Sequence, residues 1–170
     1  MDRTKSIALL NHAVADELQA VHQYMYFHFH LDDQGFAPLS ALFKRTAIEE
    51  MMHVEKLSDR ILFLKGEVEM APAGPVEKIT DPKAMLEKGM AMEAGSVEDY
   101  NKSALACAAL SDSGTKQVFE GLVADEERHF DQWDKEMEKV QRFGINYLAL
   151  QSFGAGGSAP AEGGKPGAAN

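Results

Sequence analysis

Four long segments of the chain place apolar residues at intervals of three and four, the spacing of one buried face of an α-helix. The pattern predicts helices over about 5–31, 37–65, 82–110 and 115–142. Short sequences rich in Gly, Asp and Ser interrupt it at 32–38 (DDQGFAP) and 111–114 (SDSG), and both predict tight turns. A longer interruption at 66–82 holds three prolines and two glycines and predicts a loop. A short apolar piece, INYLALQSF, follows Gly144.

Four long helices with two short turns and one long connection predict an all-α protein built as a four-helix bundle. A helix of about 28 residues spans ~42 Å at 1.5 Å per residue. A loop of about 16 extended residues reaches ~53 Å. The long connection can therefore cross the full bundle, so helices two and three are expected to lie parallel. We expect one bundle domain over 1–153 and a flexible tail rich in Gly, Ala and Pro over 154–170.

Each apolar stripe contains one glutamate, and two stripes also contain a histidine three residues later. The stripes are Leu10, Val14, Glu17, Val21, Tyr24 and His28; Leu39, Leu42, Thr46, Glu50, His53, Leu57 and Leu64; Leu86, Met90, Glu93, Val97, Tyr100, Ala104 and Cys107; and Val118, Leu122, Glu126, His129, Trp133 and Val140. The midpoint between Glu17 and Glu50 is 33.5, inside DDQG of the first turn, and the midpoint between Glu93 and Glu126 is 109.5, at the start of LSDSG. Each antiparallel hairpin therefore places its two glutamates at one level.

The two halves of the chain repeat this arrangement. A shift of 76 residues maps Glu17, Val21 and Tyr24 onto Glu93, Val97 and Tyr100, so that ELQAVHQY matches EAGSVEDY. The same shift maps Glu50 and His53 onto Glu126 and His129. The repeat predicts one hairpin used twice, with approximate two-fold symmetry.

Four carboxylates facing an apolar core need compensation, because desolvation and mutual repulsion of their charges would be severe. They could share protons, but two divalent cations would balance them more simply. Carboxylate oxygen and imidazole nitrogen suit Fe, Mn or Zn. A single Glu-x-x-His pair is a weak signal, whereas two copies in register with two further glutamates form the ferritin-like di-metal carboxylate pattern.

Composition narrows the choice of partners. The chain of 170 residues has a formal net charge of −10, which makes nucleic acid and anionic membranes poor partners and cations good ones. Cys107 is the only cysteine, so neither an internal disulfide nor a site built from several thiolates is expected. Charged residues interrupt the N-terminal segment too early for a signal peptide. No apolar run approaches the 18 residues typical of a transmembrane helix. We therefore expect a cytoplasmic protein.

The sequence resembles the bacterioferritins over about residues 2–152. The segments that carry the resemblance are DELQAVHQY, IEEMMHVEKLSDRILFLKG, MAMEAGSVEDY, VADEERHFDQWDKEMEKV and GINYLALQ. It implies two iron ions per subunit, oxidation of Fe(II) by O2 or peroxide, and storage of ferric mineral in a hollow shell. By the same resemblance, Glu17 and Glu93 would be terminal ligands, Glu50 and Glu126 bridging ligands, and His53 and His129 nitrogen ligands.

The resemblance also implies a haem b, or a related iron porphyrin, at a two-fold subunit interface. Its axial ligand would be the methionine that follows the second-helix glutamate, here Met51, whereas Met52 is expected to be an ordinary packing residue. A helical step of about 100° turns Met51 sideways from Glu50, toward a neighbouring subunit. The family further implies a 24-subunit homo-oligomer built from dimers, with a short fifth helix near its four-fold axes. A ferredoxin would be the partner for iron release.

Three positions depart from the family pattern: Arg45 stands where some members have histidine, Glu49 where aspartate is common, and Leu57 where tyrosine is frequent. The residues alone leave alternatives open. One is a non-storage di-metal enzyme, either a peroxidase or a catalase-like protein, and another is a haem-binding dimer that carries electrons or iron. A third is a catalytically silent shell subunit. The sequence also does not decide whether Tyr24 and Tyr100 pack or act near the metals.

Overall fold

The structure is a computed structural model that describes residues 3–155. Its helices are α1 (Arg3–Asp33), α2 (Ala37–Phe63), α3 (Pro82–Ala109), α4 (Ser113–Phe143) and α5 (Asn146–Ala155). All four long predicted helices are confirmed, with ends that shift by a few residues. The fifth helix continues to Ala155, two residues into the segment predicted as a tail, and the rest of that segment lies outside the described residues.

The helices pack as two hairpins, α1 with α2 and α3 with α4, as the short turns predict. Gly35 closes the first turn with a φ of 82°, a left-handed conformation that glycine adopts without steric cost. Asp81 caps α3 by accepting a hydrogen bond from the Ala84 backbone N–H at 2.8 Å, and Asp112 caps α4 at Thr115. These caps explain why α3 and α4 begin where they do.

Amide side chains of α1 hold the long connection between α2 and α3 along the bundle. Gln23 is fully buried, and its amide both donates to the Glu77 carbonyl at 2.9 Å and accepts from the Glu77 backbone N–H at 2.8 Å. Asn11 and Gln19 each donate to one backbone carbonyl and accept from the backbone N–H of a different residue, further back along the loop. The connection is therefore an ordered crossover, and polar groups of its backbone are satisfied by α1.

The hydrophobic core has two parts. One contains four buried aromatic side chains among aliphatic ones: Tyr24, Phe27, Phe43 and Trp133. The other is largely aliphatic and contains Leu10, Val14, Leu57, Ile61 and Leu122, together with Tyr100 and Phe119. The buried glutamates and histidines belong to neither part. Across residues 3–155, none of the helices is both long and apolar enough to cross a membrane.

The predicted stripes are right for the glutamates and histidines but incomplete for the core. Leu42 and Val118 are only half-buried, whereas their neighbours Phe43 and Phe119 are fully buried. The difference arises because a helix in a bundle contacts two neighbours and buries a face wider than one narrow stripe.

Candidate metal centre

The six residues predicted as ligands come together in two overlapping groups. One group is Glu17, Glu50, His53 and Glu126, and the other is Glu50, Glu93, Glu126 and His129. In each group one side-chain atom per residue lies within 4.8 Å of all the others. All six side chains are buried. Two carboxylates are therefore shared between the groups, while each group has one glutamate and one histidine of its own.

Each histidine directs its Nδ1 atom at both shared carboxylates. His53 Nδ1 lies 2.8 Å from a Glu50 oxygen and 3.1 Å from a Glu126 oxygen. His129 Nδ1 lies 2.9 Å from the other Glu50 oxygen and 3.2 Å from the other Glu126 oxygen. The two imidazole rings are 5.8 Å apart and nearly parallel, at 27°. The two histidines, one from each half of the chain, thus approach the shared carboxylates from opposite sides.

Several of these polar atoms are buried without a hydrogen bond. Both Glu50 oxygens, His53 Nδ1 and Glu126 Oε1 have short contacts within the cluster, but these contacts lack the angles of hydrogen bonds. A buried polar atom without a partner is costly in a folded protein. His129 Nδ1 and Glu126 Oε2 do form a hydrogen bond, at 3.2 Å. Donor atoms that converge on common points and are mostly unpaired fit the ligand set of two cations. The oxygen and nitrogen donors suit Fe, Mn or Zn.

Burial raises the pKa of the Glu17 and Glu93 carboxyls well above their usual range, and the charges of the two shared glutamates raise it further. Burial acts in the same direction on Glu126, but the adjacent imidazoles outweigh it and lower the pKa of Glu126 to about 2. The unshared glutamates therefore favour their protonated form in the absence of a cation.

The histidines respond to the same charges with the opposite sign. Burial acts to lower the pKa of His129, but Glu126 and Glu50 outweigh that effect and raise the pKa to about 11. The pKa of His53 is likewise raised, because Glu126, Glu17 and Glu50 surround it. The surrounding carboxylates thus favour the protonated form of both imidazoles in the metal-free centre, and a metal ion that binds at Nδ1 must displace a proton.

Three aromatic side chains hydrogen-bond to the unshared glutamates. The Tyr24 hydroxyl donates to Glu93 at 2.5 Å, and the Tyr100 hydroxyl donates to Glu17 at 2.7 Å. Trp133 Nε1 also donates to Glu93, at 3.3 Å. The structure therefore places both tyrosines beside the ligands, a question that the sequence left open. The sequence predicts Trp133 only as a member of the apolar stripe of the fourth helix, and no sequence signal indicates its contact with Glu93.

The centre has an opening on each side of the bundle. On the α1–α3 side a cavity of about 240 Å³ reaches Glu17 and Glu93, and Asp16 and Asp99 line it. On the α2–α4 side a depression of about 510 Å³ reaches His53 and is lined by Glu49, Asp125 and Arg128 among others. The first opening is predominantly acidic and suits the approach of a cation.

Of the other residues singled out from the sequence, Glu49 lies beside a ligand, with a carboxylate oxygen 2.7 Å from His129 Nε2. Met51 and Met52 are equally exposed, at 52% each, but Met52 lines the depression on the α2–α4 side whereas Met51 does not. Arg45 lines a separate cavity between α2, α4 and α5.

The bundle topology and the carboxylate–histidine layer define a ferritin-like protein. In agreement, the model of the ferritin family, described as a ferritin-like domain, matches residues 7–143.

Comparison with individual relatives narrows the class. The chain is 35% identical to the Rhodobacter capsulatus bacterioferritin over 147 residues, covering 86% of this chain and 91% of the relative. It is 33% identical to the Desulfovibrio desulfuricans bacterioferritin, covering 86% and 82%. This chain belongs to the bacterioferritin family.

Solved structures agree with this placement. A structure of the Rhodobacter capsulatus bacterioferritin has a TM-score of 0.84 at 31% identity, covering 95% of this chain and 98% of that one. It is described as having a metal-free dinuclear site and a haem iron in a crystallographic special position. Mycobacterium tuberculosis bacterioferritin BfrA has a TM-score of 0.83 at 27% identity, covering 87% and 93%.

Proposed function

We propose that this protein is a ferroxidase and an iron-storage protein, which oxidises Fe(II) with O2 or peroxide and retains the ferric product as a mineral in a hollow shell. The observation that carries the proposal is the sharing of Glu50 and Glu126 between two otherwise separate donor sets. Shared carboxylates hold two metal ions close together, as oxidation of a pair of Fe(II) ions by one oxidant requires. Family membership supports iron as the metal.

Each ligand has a distinct task in this proposal. Glu17 with His53, and Glu93 with His129, complete the two donor sets as terminal ligands, and the shared glutamates bridge them. Fe(II) is the substrate: each ion gives up one electron, and the oxidant accepts two per pair. The four carboxylates offset the charge of two divalent ions, so the pair can bind in an otherwise apolar layer.

The α1–α3 opening supplies the route for the substrate. Asp16 and Asp99 flank its entrance, and the unshared glutamates lie at its inner end. Acidic side chains along this path raise the local concentration of Fe(II). The tyrosine hydroxyls fix Glu17 and Glu93 at the inner end, so that one oxygen of each is held before the metal arrives.

Haem is the second cofactor of the proposal, with Met51 as its axial ligand. A thioether is an established axial ligand of haem iron. Met51 is half exposed, and Ile48, one turn earlier on α2, is also exposed. Two exposed apolar side chains on one helix face fit a surface covered by a second subunit. When bound, the haem would supply electron transfer across that interface.

The fifth helix supports assembly into the 24-subunit shell. Leu150 and Phe153 are largely exposed on α5, at 68% and 82%. Large apolar side chains in that position are expected to be covered in an oligomer. We further propose release of stored iron with electrons from a ferredoxin.

The test is an anaerobic addition of Fe(II) to metal-free protein, followed by O2. We expect far more than two irons per chain to be oxidised and to stay soluble. Glu50→Ala should abolish or slow the oxidation, because it removes a ligand from both groups. Glu55→Ala is the matched control, since Glu55 lies on the same helix but is exposed.

A stop at two irons per chain would contradict storage and leave the di-metal enzyme. Unchanged oxidation in Glu50→Ala would contradict the proposed centre itself.

A further inference from the structure

The outer edge of each ligand histidine contacts a carboxylate from the opposite helix. His129, on α4, places Nε2 2.7 Å from Glu49 of α2. His53, on α2, places Nε2 3.4 Å from Asp125 of α4. Glu49 and Asp125 immediately precede the two shared glutamates, and the shift of 76 residues maps one onto the other. The internal repeat therefore extends beyond the ligands to the groups that contact them.

A single arginine joins these two outer carboxylates. Arg128 Nη1 lies 2.8 Å from Glu49, and Nη2 lies 3.3 Å from Asp125. The 76-residue shift pairs Arg128 with Met52, so the other half of the repeat has no equivalent group. One guanidinium thus serves both halves of the centre. A planar group with several donors in fixed directions can hold two carboxylates at once, which a single ammonium does less well.

We propose that Arg128 is a positioning residue of the metal centre, which holds Glu49 and Asp125 against the outer nitrogens of both imidazoles. The proposal rests on the di-metal function proposed above. Glu49 accepts a hydrogen bond from His129 Nε2, and Asp125 lies at ion-pair distance from His53 Nε2. A proton kept on Nε2 leaves the Nδ1 lone pair available to a metal ion. Outer-shell partners of this kind fix the tautomer and the ring orientation of a ligand histidine.

Glu49 and Asp125 are partly exposed, so their positions depend on the contact with Arg128; we call these three residues the clamp. The side chains of Glu49 and Asp125 are 42% and 38% exposed, so each could turn outward into water. Arg128 opposes that rotation for both at once, and it links α2 to α4 across the mouth of the depression. An ordinary surface ion pair contributes little to the free energy of folding. The clamp differs because its two carboxylates also contact metal-ligand imidazoles.

The experiment is a titration of metal-free, full-length protein with Co(II), followed by the visible d–d absorption of the bound ion. We expect Arg128→Gln to weaken Co(II) binding by roughly three- to ten-fold, at or below the low end of the effect of losing an outer-shell partner directly. The absorption bands should also change in shape, since the ring orientations relax. A residue with only a structural role would not alter these bands.

Lys135→Gln is the matched control, because Lys135 lies on the same helix and makes an exposed ion pair with Asp131. It should leave both the Co(II) affinity and the bands unchanged. Arg128→Lys keeps the charge and much of the bulk, which guards against a folding defect. It should still bind Co(II) more weakly than the unaltered protein, because one ammonium cannot hold both carboxylates in place.

A second set of variants tests whether Arg128 acts on Co(II) binding through Glu49 and Asp125. In Glu49→Gln/Asp125→Asn protein, adding Arg128→Gln should cause no further loss of Co(II) affinity. Unaltered affinity and bands in Arg128→Gln would overturn the clamp and leave the di-metal function standing. A further loss in the Glu49→Gln/Asp125→Asn protein would overturn the proposal that Arg128 acts through these carboxylates. Unsubstituted protein that binds no Co(II) would overturn the di-metal function and the clamp with it.

Discussion

The sharing of two glutamates makes a quantitative prediction about which substitutions remove one metal ion and which remove both. Glu17 belongs to one group of donors, whereas Glu50 belongs to both. Glu17→Ala leaves the group of Glu50, Glu93, Glu126 and His129 complete, so we expect one ion per chain to remain. Glu50→Ala leaves neither group complete, and we expect little binding at either position.

The difference between one bound ion and two can be measured as an increase in the Tm of thermal unfolding. A ligand at a hundred times its Kd stabilises the folded state by ~2.7 kcal/mol per site, so two equal sites contribute roughly 5 kcal/mol. For a chain of this size that corresponds to an increase in Tm of roughly 10–20 °C. With one site remaining, Glu17→Ala should retain about half of the increase. Glu50→Ala should retain almost none.

The assay measures Tm with and without Co(II), and the bound metal per chain is counted in parallel. Each variant is compared with its own metal-free form, so that any cavity left by the substitution cancels. Glu55→Ala, on the exposed side of α2, should show the full increase. Equal increases for the Glu17 and Glu50 variants would refute the shared-ligand arrangement, as would a full increase in Glu50→Ala.

Three further outcomes follow. Co(II) binding should weaken as the pH falls and should release protons, because the pKa values of both ligand histidines and both unshared glutamates are raised in the metal-free centre. Calorimetry in two buffers of different ionisation enthalpy counts the protons released. Heats of binding that do not depend on the buffer would contradict this prediction. Gln23→Leu should lower the free energy of unfolding by about 1–3 kcal/mol, because both hydrogen bonds to the Glu77 backbone are lost. Chemical denaturation measures the change, with Gln132→Leu as the control. Equal free energies of unfolding in the two variants would argue against an anchored crossover. Met51→Leu should abolish haem binding whereas Met52→Leu should retain it, as visible absorption after reconstitution would report; the reverse order would assign the axial ligand to Met52.

Much of the centre could be predicted because its ligands follow the helical period. Glu50 and His53 lie three residues apart in an apolar stripe, so a helix that buries the stripe must bury them. Equal distances from a tight turn then fix which glutamates share a level. The internal repeat supplied the second half of the site from the first. These relations are local, or cross one short turn, and periodicity alone conveys them.

The rotation of each helix about its own axis was not predictable in this way. The Trp133 contact with Glu93 depends on how α4 is rotated against α3, and the stripe gives that rotation only to within a residue or so. The same uncertainty explains why Leu42 stood in the predicted stripe whereas Phe43 fills the core. Burial on a helix varies smoothly around its circumference, so small rotations exchange neighbouring positions.

The sequence by itself determined the helices, the two hairpins, the crossover and the six candidate ligands, because each follows from spacing along one chain segment. Only the tertiary structure decided which imidazole nitrogen faces the shared glutamates and that Tyr24 and Tyr100 hydrogen-bond to the unshared ones. It alone brought Arg128 to Glu49, 79 residues earlier in the chain, so that one guanidinium contacts both outer carboxylates. Such contacts depend on side-chain rotamers and on the packing of separate helices, and no pattern of hydrophobic and polar positions specifies either.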